Sequence, residues 1–104
     1  MEGIELISFR IISAVGEAKS SYIEAIREAK KGNFERADEL IKEGSKVFIE
    51  GHHAHAELIQ QEASGNAVVP TLLLMHAEDQ LMSTDGFKFI AEEFIEVYKN
   101  IHTK

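Results

Sequence analysis

The chain has 104 residues, a formal net charge of −7, no cysteine and one proline. That length suits a single domain, expected over residues 1–104, and the acidic balance argues against nucleic acid, which is bound by clustered Lys and Arg. Without cysteine there is no disulfide framework, thiol nucleophile or thiolate zinc site, and no apolar run reaches the roughly 18 residues of a membrane span. With an acidic opening, "MEGIE", unlike a signal peptide, the expected location is the cytoplasm.

The first predicted element covers about residues 3–31. Ile4, Ile11, Ala18 and Ala25 recur every seven residues, and Ser8, Val15, Tyr22 and Ala29 repeat that spacing four residues on. Alternating steps of three and four put both sets on one face of a helix. "KKGN" (30–33) then supplies basic residues, a glycine to end the helix and an Asn suited to cap the next.

A second helix is predicted over about 33–64. Phe34, Ile41, Phe48 and His55 form one line of its seam, and Ala37, Gly44, Gly51 and Leu58 the other. A mid-helix glycine costs about 1 kcal/mol against Ala. Its place on the seam predicts that another backbone approaches Gly44 and Gly51 closely. "ASGNAVVP" (63–70) is the next break, with Pro70 expected near the first turn of a third helix over about 70–102. Three helices of roughly 30 residues, each about 45 Å long, joined by short turns make an all-α antiparallel bundle.

The third helix is apolar on several sides. Leu72, Phe87, Ile90 and Phe94 lie within about 40° of His76 around the helix axis, whereas Leu74 and Leu81 point nearly the opposite way. Met75 and Met82 occupy a third side. A helix that is apolar nearly all round is buried nearly all round, which two neighbours cannot achieve. Self-association through this helix, with cyclic symmetry, is therefore expected. "STDG" (83–86) is a candidate kink within it.

"TLLLMHAEDQLM" (71–82) sets polar groups into this apolar run. His76 and Gln80 are one turn apart, Asp79 lies about 60° to the other side, and Glu78 points away. Imidazole is largely neutral near pH 7 and can carry a phosphoryl group on nitrogen; an amide such as Gln80 can orient the ring. A core histidine satisfied by local hydrogen bonds is the plainer alternative. Asp79 shares its stripe with Leu72, Met75, Ile90 and Val97. Copies of it meeting on a symmetry axis would repel unless a cation or shared protons intervened; as an exposed helical acid it would need neither.

"LLLMHAEDQLM", with "AKKGNFERADELI", "GHHAHAELIQQEASG" and "AEEFIEVYK", resembles the lactose/cellobiose-type enzyme IIA of the bacterial sugar phosphotransferase system, whose active-site motif is close to V-H-A-Q-D-H-L-M. The resemblance runs through nearly the whole chain. It implies a homotrimer of three-helix subunits, a nine-helix bundle. His76 would be phosphorylated by the phosphocarrier protein HPr and would pass the group to the sugar-specific enzyme IIB. The transported sugar would be a disaccharide of the lactose, cellobiose or chitobiose type, and the membrane permease IIC would be met only indirectly. Asp79 would gather on the threefold axis around a divalent cation such as Mg2+. Glu78 stands where the family has an amide, Gln80 where it has a histidine, and His52 matches a usual histidine. His55 occupies a place where glutamine is more common. Gln80, Glu78 and His52 are the expected supporting residues. The absence of a glycine-rich phosphate loop or Walker lysine argues against a nucleotide cofactor.

Two other readings remain. A non-catalytic, tetratricopeptide-like helical adaptor would repeat at about 34 residues, but residues 63–75 do not copy 29–41. A metal site in "GHHAHAE" could use His52 with His55, or His53 with Glu57, though zinc requires further ligands.

Overall fold

A computed structural model describes residues 3–103; residues 1, 2 and 104 of the expected 1–104 domain lie outside the described residues. Three helices fill the chain: α1 Ile4–Lys30, α2 Phe34–Ala63 and α3 Leu72–His102. They form an up-down-up bundle 57 × 22 × 20 Å in extent, and α1 packs against both partners while α2 and α3 meet only slightly.

The heptad seams form the core. Ile11, Val15, Ala18, Tyr22, Ala25 and Ala29 are buried on α1, and Ala37, Ile41 and Leu58 on α2. Gly44 and Gly51 are buried as well. A Cβ on Gly44 would stand 2.6 Å from Tyr22 Cε1 and 3.1 Å from the Ala18 carbonyl oxygen. On Gly51 it would lie 3.2 Å from Val15 Cγ1. Absent side chains let α2 lie close to α1, which offsets the weak helix propensity of glycine.

Both turns end in the same device. Gly32 and Gly65 adopt positive φ (91° and 93°), a region that only glycine enters freely. Gly32 N–H donates to Ala29 O and Asn33 N–H to Glu28 O; Gly65 N–H donates to Glu62 O and Asn66 N–H to Gln61 O. These paired bonds satisfy carbonyls that the helix end leaves free. Asn33 departs from the expected role: its side chain does not cap α2, and its Nδ2 donates instead to Glu28 Oε1 at 3.0 Å. His102 closes the same end, donating from Nε2 to Lys30 O at 3.3 Å and meeting Phe34 edge-on with ring centroids 5.4 Å apart.

Pro70 falls outside α3. Thr71 is the N-cap, its hydroxyl accepting from Leu74 N–H at 3.0 Å, and the helix begins at Leu72. It then runs unbroken through Ser83–Gly86, because Thr84 faces inward and is buried. None of the three helices is long and apolar enough to cross a membrane.

Candidate functional site: His76 on the outer face of α3

Which side of α3 meets its neighbours decides what the helix presents outward. Leu74, Ala77, Leu81, Thr84, Ala91 and Ile95 face the bundle. Of the other two apolar sides, Leu72 (82% exposed), Met75, Met82, Ile90, Phe94, Val97 and Ile101 all remain in the open. At about 100° per residue, these seven lie within about 60° of Asp79 around the axis. Asp79 is exposed and sits mid-face, directly opposite the core side.

His76 stands at one edge of this outer face and is exposed. Its position comes from the first turns of α3: Thr71 starts the helix, Leu74 and Ala77 anchor it inward, and His76 between them turns outward beside Leu72 and Met75. The ring is therefore open to solvent in the single chain. Gln80, one turn further on, is half-buried.

The other expected supporting residues are placed differently. Glu78 points toward α2, where its Oε2 lies 2.7 Å from His55 Nε2. The pair is partly buried, with the His55 side chain 20% and the Glu78 side chain 38% exposed. Sequence reading gave His55 to the apolar seam; the polar partner it acquires 23 positions along the chain has no local signal. His52 is exposed on α2, its ring 6.2 Å from that of His53. Since residues 55 and 78 are level in this antiparallel pair, His52 is level with Leu81, about 7.5 Å along the axis from His76. Among the described residues no group of three or more His, Cys, Asp or Glu side chains could hold a metal ion, so the "GHHAHAE" metal reading lacks a ligand set, and His55 is engaged by Glu78.

Residues 6–99 match the family described as "PTS system, Lactose/Cellobiose specific IIA subunit". The chain belongs to this family. It is 36% identical to a lactose-specific EIIA component of Staphylococcus aureus (strain N315) over 98 residues, covering 94% of this chain and 95% of the relative. It is 41% identical to the lichenan-specific phosphotransferase enzyme IIA component of Bacillus subtilis (strain 168) over 100 residues, 96% of this chain and 91% of that one. The crystal structure of a cellobiose-specific enzyme IIA from Bacillus anthracis superposes with a TM-score of 0.96 at 39% identity, covering 100% of this chain and 95% of the other. This IIA protein is accordingly a phosphocarrier component of a sugar phosphotransferase system, acting in sugar uptake; nothing favours the adaptor reading.

Proposed function

We propose that His76 is the phosphoryl acceptor, taking the group from phospho-HPr and delivering it to enzyme IIB for uptake of a disaccharide of the lactose, cellobiose or chitobiose type. The observation that carries this is an exposed imidazole in the motif that resembles the family's active site, set at the margin of an apolar face. In the first transfer the P–N bond to the donor histidine breaks as a P–N bond to an unprotonated nitrogen of His76 forms in line; in the second, that His76 P–N bond breaks as a nucleophile of enzyme IIB takes the phosphoryl group. Positioning supplies most of the catalysis, and Gln80, one turn away, orients the ring or the phosphoryl oxygens. Leu72 and Met75 offer apolar contact to the docking protein, and the acidic surface suits basic partners. His52 and Glu78 act from further off. The permease IIC is reached only through enzyme IIB.

The same reading includes a homotrimer joined through α3. Large exposed apolar side chains concentrated on one helix face mark an association surface, and a face centred on one residue suits a cyclic arrangement. Asp79 at its middle would bring three carboxylates together. Oxygen ligands of that kind fit a hard divalent cation such as Mg2+, which would neutralise their repulsion and hold the assembly rather than take part in transfer.

The test is labelling with phosphoenolpyruvate, enzyme I and HPr. The unaltered protein is expected to acquire acid-labile phosphate stoichiometrically, and His76→Ala none. Equal labelling of the two would remove His76 from the role.

A further inference from the structure

α3 is held unevenly. Along one flank it lies on α1, but toward α2 it makes little contact, and a groove of about 680 Å³ opens between α2 and α3 over Ile41, Ile49 and Ile95. Among the described residues two charged ties join α2 to α3, one beside this groove and one beyond its end. One, Lys99 to Asp38, is long at 3.9 Å, with side chains 36% and 54% exposed, a geometry that water and salt weaken. The other, His55 to Glu78, is 2.7 Å and better sheltered. It sits over Leu58 and Leu74, which line the same small cleft, and a carboxylate accepting from a ring N–H in such surroundings is a strong and directional contact. Glu78 is two residues from His76 but about 160° around the helix from it. It therefore cannot touch a phosphoryl group on His76; whatever it does for transfer it does through the helix.

We infer that His55 and Glu78 form a single positioning unit, a clamp between α2 and α3 that sets where the turns bearing His76 stand when a partner docks. The inference rests on His76 being the phosphoryl acceptor. In-line transfer tolerates little displacement of the accepting nitrogen, so a shift of about 1 Å in these turns slows the step without removing any group that binds the partner. His55 and Glu78 are positioning residues, and the clamp ties to α2 the turns of α3 that carry His76.

The experiment measures transfer from phospho-HPr to the full chain, resolving the saturated rate from the KM for phospho-HPr, with helix content followed by circular dichroism. His55→Leu and Glu78→Leu are each expected to lower the saturated rate by roughly tenfold at unchanged KM and helix content. The double variant His55→Gln with Glu78→Gln replaces the pair by two amides able to bond reciprocally, and is expected within about twofold of the unaltered protein. Lys99→Met, which breaks the looser tie, leaves the rate unchanged. Wild-type rates in both Leu variants overturn the clamp, as does an equal loss in Lys99→Met, a rise in KM alone, or a double-Gln variant as slow as the Leu variants. Loss of helix content in one Leu variant passes the decision to the other, and loss in both overturns a role confined to positioning. Labelling of the unaltered protein and its absence in His76→Ala keep the carrier reading separate: that reading stands or falls on His76→Ala, the clamp on the others.

Discussion

Gly44 and Tyr22 form the tightest of the residue-level fits that hold α1 to α2. The Tyr22 ring fills the space a side chain on Gly44 would take, and the Ala18 carbonyl bounds it from the other side. Gly44→Ala would gain helix propensity of about 1 kcal/mol yet press a methyl group against a buried ring and against backbone, neither of which can swing away. A net destabilisation of about 2 kcal/mol is expected by urea unfolding. Tyr22 also carries a pH signature. Burial is the main cause pushing its phenol above the usual range; Asp85 and Glu92 push the same way, and the hydrogen bond with Ser45 opposes. A group whose folded pKa is raised adds stability that is complete below its unfolded value and is lost as pH rises through the folded one. The contribution of Tyr22 to unfolding free energy should therefore be complete below about pH 10 and be lost above it, and Tyr22→Phe should flatten the alkaline fall in stability.

At the scale of the element, the helix ends are local devices and the helix faces are not. Thr71 satisfies the Leu74 amide, so Thr71→Ala should lower stability by about 1 kcal/mol in thermal or urea unfolding. Gly16 is the converse case: it lies exposed within α1 with nothing within 4 Å of a would-be Cβ. Gly16→Ala should raise stability by up to about 1 kcal/mol, the difference in helix propensity. The heptad lines of α1 and α2 were legible because one seam on each helix is buried and most of the remaining exposed positions are polar, Phe9, Ile49 and Ile59 being exceptions. α3 was harder to read, since three of its sides are apolar and its pattern does not say which one turns inward. "STDG" looked like a break, but Thr84 in its middle is buried against the bundle, and packing keeps the helix whole where local propensity is poor.

For the whole molecule, the outer face of α3 is the feature that a single chain leaves unfinished. Val97 is half-exposed and lies on the same line as Asp79. Val97→Asp should convert the proposed trimer to monomers in sedimentation at micromolar concentration while leaving the helical spectrum intact, since the core does not use this side chain. Chelator should weaken assembly of the unaltered protein, and Asp79→Leu should abolish that sensitivity. In the proposed trimer His76 would stand at the edge of the covered face rather than its centre, a position that suits both burial of the apolar stripe and access by partner proteins.

Three long helices, their turns and the place of the two seam glycines could be read from the sequence by itself, because periodicity, glycine at helix ends and close approach on a seam are properties of residues near one another in the chain. The motif that singles out His76 for the proposed role could also be read there, being only a few residues long. Tertiary structure alone decided which side of α3 meets the core, that the imidazole faces outward, and that Glu78 serves His55 instead of its neighbour. Those outcomes depend on how the helices are rotated about their axes when they pack, a balance summed over contacts between segments far apart in sequence, and no local pattern carries that sum.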